Sequence, residues 1–244
     1  MATQYNRFKM MNERKLSKYL KALQENELFC NLSTEKLENF LAELEEEVWP
    51  KYTCSISKNK ALYKFHIIIS GRLKIYQTDP GTGREFTLYL LTKNDAFDIL
   101  CLLDEVEHHT YYETLDDVKV LSIPIEKMRQ WIRQNPEINK PLLKYMGKQM
   151  RSLEEYASNI TLIDISTRLA KLILNNINNK SQKLEMINDL SNEELANLIG
   201  STRAVVNRHL QDFKSDGIIS VGRKKVEIKN LQLLLDKIEK RAGQ

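Results

Sequence analysis

The chain has 244 residues, 42% of them hydrophobic, which is enough for two modest domains with buried cores and excludes a disordered protein. Thirty-seven basic residues nearly match 33 acidic ones, so the formal charge of +4 says little about nucleic acid, and local clustering matters more. No apolar run approaches a membrane span, Met1-Ala-Thr-Gln-Tyr-Asn-Arg lacks the apolar core of a secretion signal, and Cys30, Cys54 and Cys101 are too few and too far apart for a disulfide framework or a closed zinc site. A cytoplasmic protein with core or surface thiols is expected.

Asn12–Ala22 and Ser33–Glu47 read as helices, the second opened by Ser33-Thr-Glu-Lys36 and lined by Leu37, Phe40, Leu41 and Leu44. From Trp49 the period changes. Short apolar bursts at Phe65–Ile69, Leu73–Tyr76, Phe86–Leu91, Tyr111–Tyr112 and Val118–Ile123 alternate with turn residues such as Ser70-Gly71, Asp79-Pro-Gly81-Thr-Gly83 and Asp116-Asp117, as in a compact β-barrel or sandwich.

After Pro124 the helical period returns. Leu143, Met146, Met150, Leu153, Ala157 and Ile160 keep a 3-4-3-4-3 spacing. That seam is narrower than a core-facing stripe and predicts a parallel homodimer packed along this helix. Asn175 to Lys183 is polar, rich in asparagine, and reads as a loop.

The stretch Ser191-Asn-Glu-Glu-Leu-Ala-Asn-Leu-Ile-Gly200 predicts a short helix capped by Ser191 and Glu194, and Gly200 permits a tight turn. A second helix follows, capped by Thr202 or Ser201. Turning each residue by about 100° puts Arg203, Ala204, Asn207, Arg208 and Gln211 on one arc, and Val205, Val206, Leu210 and Phe213 on the other. One face anchors the helix; the other carries two arginines and two amides, the side chains that pair best with guanine and adenine edges. Ser215-Asp-Gly217 stops the helix, and Ile218 to Ile228 alternates around Gly222 to Lys224, a hairpin whose Arg223, Lys224 and Lys225 would touch phosphates. His209 falls beside Phe213 and reads as structural.

This order of parts resembles the regulators of the cyclic-AMP receptor protein and fumarate-nitrate reduction regulator superfamily over nearly the whole chain. The resemblance shows in Leu62-Tyr-Lys-Phe-His-Ile-Ile-Ile-Ser-Gly71-Arg-Leu, in Leu162-Ile-Asp164-Ile-Ser-Thr-Arg168-Leu-Ala170 and in Gly200-Ser-Thr-Arg-Ala-Val-Val-Asn-Arg208. It implies an α+β fold: a cyclic-nucleotide-binding-like β-roll (jelly roll) with its helices over residues 1–130, a dimerisation helix over 131–163, and a winged helix-turn-helix over 164–244. It further implies a bacterial transcription regulator with RNA polymerase as a partner. Arg203 and Arg208 would read bases and Thr202 would touch a phosphate, with Ser201, Asn207 and Gln211 beside them. Where the family carries an acidic reader this chain has Ala204, so hydrogen bonding to a cytosine amino group is lost and the target site should differ.

Cyclic-nucleotide binders of that family hold the ribose with a Gly-Glu pair and the phosphate with an Arg-Ser pair. The matching positions here are Asp98 and Ile99, then His109 and Thr110. Ile99 cannot accept hydroxyl hydrogen bonds, Asp98 puts a negative charge near the anion, and histidine is a poorer phosphate clamp than arginine. Cyclic AMP and cyclic GMP are therefore not expected as effectors: the roll senses another signal or has lost sensing. The cysteine cluster of the iron-sulfur branch is missing, and neither haem ligation by His66, His108 or His109 nor a dithiol switch at Cys54 or Cys101 has a sequence signature behind it. The expectation is thus a cofactor-free, metal-free, non-enzymatic homodimer that binds a pseudopalindromic double-stranded operator. The alternative is a ligand, haem or redox sensor acting mainly through a protein partner.

Overall fold

The computed structural model describes residues 13–55, 64–97, 99–106, 110–178, 184–222 and 225–239. The chain divides into two compact units, one formed by residues 1–76 with 89–150 and the other by 77–88 with 151–244. In chain order the first elements are α1 (Glu13–Glu25), α2 (Thr34–Glu43), β1 (Glu45–Trp49), β2 (Cys54–Ser55), β3 (Lys64–Ser70), β4 (Leu73–Thr78) and β5 (Glu85–Leu91). Then come β6 (Ala96–Phe97), α3 (Ile99–Asp104), β7 (Tyr111–Thr114), β8 (Val118–Pro124), α4 (Ile125–Gln134), a 3-10 turn at Pro136–Ile138 and α5 (Asn139–Leu162). The strands form two four-stranded sheets in the orders β1-β8-β3-β6 and β2-β7-β4-β5.

Strand β3 explains how the roll is filled. Its central residues are buried on both faces, as a strand between two layers must be. Phe65, Ile67 and Ile69 point with Leu121 and Ile123 into a core shared with Tyr19, Leu23, Phe40 and Leu142 of the helices and Phe29 of the turn after α1. Ile68 points the other way and meets Leu73, Ile75, Tyr112 and Val120, so side chains of both sheets close a second core. The turn after β3 needs glycine, because Gly71 has φ of 89° and a Cβ there would sit 2.6 Å from the Asp117 carbonyl. Beside it the Arg72 guanidinium grips Asp116 through Nε and Nη2 at 2.7 and 2.8 Å.

Helix α2 stops at Glu43, short of the expected Glu47. Leu44 is extended, and Glu45–Trp49 pairs along β8, from Ser122 back to Val118. The charged run Glu45-Glu-Glu47 looked helical, yet Glu47 accepts from Lys64 Nζ at 2.8 Å and Ser122 Oγ at 2.7 Å, so its strand conformation is set by tertiary partners. The helical run expected from residue 131 is likewise broken at Asn135-Pro136, because proline supplies no backbone donor there, and the long helix begins at Asn139. Short α3 is tied to α4 by Arg129, whose Nη2 and Nε donate to the carbonyls of Cys101 at 2.6 Å and Leu102 at 3.0 Å.

His66 lies on the inter-sheet side of β3, stacked on Phe97 at 4.5 Å and edge-on to Trp49 at 5.2 Å. It is buried, with Nδ1 unpartnered, which suits a packed aromatic rather than an open metal ligand. Burial pushes its pKa down to about 4, against a weaker pull upward from Glu47. The unfolded chain therefore binds more protons than the folded one between the unperturbed 6.5 and about 4, and stability falls as pH drops through that window, by about 3 kcal/mol in all. Urea titrations from pH 7 to 4 should show this loss, and His66→Phe should flatten it. Glu47, held down to about 2 by its hydrogen bonds despite its burial, contributes a loss only below about pH 4.5.

Candidate nucleic-acid interface

The remaining elements are α6 (Ile165–Asn175), α7 (Asn192–Ile199), α8 (Arg203–Ser215), β9 (Ile219–Gly222), β10 (Lys225–Ile228) and α9 (Leu231–Glu239). Helix α7 opens with a reciprocal capping box: Glu194 N donates to Ser191 Oγ at 3.2 Å, and Ser191 N donates to Glu194 Oε2 at 2.6 Å. It ends at Gly200, whose φ of 65° and ψ of 45° are left-handed. Two residues later Thr202 caps α8, its Oγ1 accepting from Val205 N at 3.5 Å. Val206, Leu210 and Phe213 are buried, and Arg203, Ala204, Asn207, Arg208 and Gln211 are all exposed. The split of α8 into two faces is thus present in the folded chain.

Ser201 lies on the inside of this turn, not on the outer arc with the arginines. It is buried, its N–H donates to Ala196 O at 2.9 Å, and its hydroxyl has no partner. Two contributors escaped the sequence reading. Asn192 Nδ2 donates to Asn207 Oδ1 at 3.1 Å and so orients one of the exposed amides, and Arg168 Nη1 donates to Ile199 O at 2.7 Å, locking the end of α7. Asp164 caps α6 by accepting from Thr167 N and Oγ1. Only the run of polar residues around Asn192 could have hinted at the first contact; nothing local announces the second.

Strands β9 and β10 form the antiparallel wing, pairing Ile219 with Ile228 and Gly222 with Lys225. Arg223 and Lys224, expected on its tip, lie outside the described residues. Ile218 N donates to Phe213 O at 2.9 Å, so the wing starts directly from the base of α8. His209 faces Asp212 at 3.5 Å on the same helix.

The expected seam divides. Leu143, Met150 and Leu153 are 72%, 60% and 42% exposed, and Ala157 is exposed with them. Met146 instead packs partly against the helix-strand core of its own unit, and Ile160 Cδ1 lies 3.2 Å from where a Cβ on Gly200 would be. In the roll, Ile99 is buried in that core and Thr110 Oγ1 donates to Tyr112 Oη at 3.5 Å. Asp98, His108 and His109 lie outside the described residues. Cys101 is buried and donates to Val106 O, and Cys30 and Cys54 are exposed. Among the described residues no His, Cys, Asp and Glu side chains cluster closely enough to hold a metal, and no helix is long and apolar enough to cross a membrane.

A β-roll followed by a long helix and a winged helix-turn-helix defines a DNA-binding transcription regulator with a sensor-type N-terminal domain. Residues 47–135 match the cyclic nucleotide-binding domain and residues 167–237 match the Crp-like helix-turn-helix domain. The chain is 30% identical over 175 residues to a CRP-like cAMP-activated global transcriptional regulator of Mycobacterium tuberculosis, covering 70% of this chain and 78% of that one. It is 24% identical to a cyclic AMP receptor protein of Thermus thermophilus, over 85% and 94% of the two chains. The c-di-GMP responsive global regulator CLP of Xanthomonas campestris shares the fold with a TM-score of 0.70 at 19% identity, over 81% of this chain and all of that one. The chain belongs to the Crp-like family of transcription regulators.

Proposed function

We propose that the protein is a homodimeric, sequence-specific regulator that binds a pseudopalindromic operator and answers to an effector other than cyclic AMP or cyclic GMP. The observation that carries the reading is the exposed face of α8, where Arg203, Asn207, Arg208 and Gln211 stand together while the opposite face is buried. Arginine pairs bidentately with guanine and amides with adenine, so this face has the chemistry of base readout in a major groove. The wing lysines and arginine would add phosphate contacts, and RNA polymerase is the partner that regulation calls for. Arg203→Ala or Arg208→Ala should each cost roughly 1–3 kcal/mol at a site selected from genomic fragments and relax base preference locally. Unchanged affinity in both variants, measured by fluorescence anisotropy, removes α8 as the reading helix.

Leu143, Met150 and Leu153 support the dimer, because large apolar side chains in register along a helix favour a matching helix as cover. Two copies so joined would present two reading heads to half-sites about one helical turn apart. Placing paired charges there with Met150→Glu and Leu153→Glu should give a folded monomer with poor operator affinity. Sedimentation equilibrium checks it.

The effector reading rests on Ile99, which offers no hydrogen-bond acceptor and is buried in the core, and on the residue types at Asp98 and His109. A cyclic phosphate needs a compensating cation and donors in its pocket, and these types supply no fixed cation and at most the single N–H of a neutral imidazole. Calorimetry with cyclic AMP and cyclic GMP at millimolar concentration should show no saturable heat. A micromolar dissociation constant coupled to tighter DNA binding returns the protein to nucleotide control.

A further inference from the structure

Inside the second unit, the last turns of α5, helix α6 and the end of α7 enclose a cleft of about 260 Å³. Tyr156 and Asn159 of α5, Arg168, Lys171 and Asn175 of α6, and Ile199 of α7 line it. Two cations face it against one carboxylate, the exposed Glu155. Arg168 spends Nη1 on the Ile199 carbonyl, and Lys171 Nζ donates to Asn159 Oδ1 at 3.0 Å. Among the described residues neither cation has a carboxylate within ion-pair distance. Arg168 Nε and Tyr156 Oη are buried and unpartnered. A single point, the place of a Cβ on Gly200, lies 3.3 Å from Tyr156 Oη and 3.5 Å from Arg168 Nη1, so the phenol and the guanidinium converge. Partly buried cations without counter-charges are costly, and an incoming anion supplies what they lack.

We infer that this cleft binds a compact organic anion, a phosphate or carboxylate head held by Arg168, Lys171 and Tyr156 with a small apolar body against Leu172 and Leu198. The amides of Asn159 and Asn175 add donors at the rim. The Tyr156 phenol, protonated at neutral pH in any case and pushed up to about 12 by burial, offers an O–H to the anion. The site stays open in the proposed dimer. With about 100° per residue, Ser152, Glu155, Tyr156 and Asn159 centre roughly 155° around α5 from Leu143, Met150, Leu153 and Ala157, and Ile160 borders both sets. An occupant would bridge α5 to α6 and α7 across the break at Ile163-Asp164, and so bear on the angle at which α8 is presented. That regulatory consequence, but not the binding itself, rests on the DNA-binding reading above.

The probe is phenyl phosphate, titrated into the full-length protein without DNA and followed by calorimetry, with inorganic phosphate as the head alone. Phenyl phosphate should saturate at one per protomer and bind more tightly than inorganic phosphate. Lys171→Met should weaken it roughly tenfold, the loss of one charge-assisted bond, and Tyr156→Phe, which keeps the ring, should weaken it a fewfold. Equal affinity in the parent and both variants, or no saturation for the parent, overturns the site. Displacement of the probe by duplex lacking an operator would make backbone phosphate the occupant and overturn the small-molecule assignment. Because the titration contains no DNA, its failure is distinct from failure of operator binding.

Discussion

The left-handed backbone at Gly200 is the constraint on which the reading head depends. Helix α7 must end and α8 must start in a new direction within two residues, and only a positive φ turns the chain that sharply while Ser201 N still reaches the Ala196 carbonyl. The position is also crowded. A Cβ would come within 3.2 to 3.5 Å of Ile160, Tyr156 and Arg168, so both the angle and the absence of a side chain matter. Around it every local choice agrees: a capping box before α7, Thr202 after the turn, and Arg168 on the last carbonyl of α7.

Helix α5 gives its first half to one unit and its second half to the other. At its start Leu142 and Tyr145 are buried, and Tyr145 Oη donates to the Ala96 carbonyl at 3.1 Å, so β6 holds the helix to the roll. Further along, one side carries exposed Met150 and Leu153 while Tyr156 lines a cleft with Arg168 of α6. The same helix therefore serves both units within the chain and still leaves Leu143, Met150 and Leu153 exposed. Of the residues on the expected seam, Met146 also packs partly on the core of its own unit, and Ile160, itself 39% exposed, also approaches Gly200.

What could be read from sequence was what local physics decides. The caps at Ser33, Ser191 and Thr202, the glycine turn and the two faces of α8 follow from residue type and period, and each is present in the folded chain. So are the strand positions of the roll, because β3, β4, β5 and β8 carry β-branched and aromatic runs between turn residues. The misreadings come from long-range partners. Glu45–Trp49 is a strand because β8 lies beside it, which no residue type announces. The cleft lined by Arg168 and Lys171 was invisible for the same reason: its residues come from three helices and share no spacing.

Arg129 shows how tightly two short pieces of the roll are bound together. One guanidinium closes the end of α3 through the Cys101 and Leu102 carbonyls and also pairs with Glu126 on its own helix α4. Charge-assisted bonds of this kind are worth about 1.5–3 kcal/mol each. Displacing α3 alone forfeits both, so the low-energy motion carries α4 along. Helix α4 is in turn followed by only the short turn at Pro136–Ile138 before α5 begins. The arginine therefore works as a rivet: the segment after β6, where Ile99 sits, is tied to α4, and moving it alone breaks both carbonyl bonds.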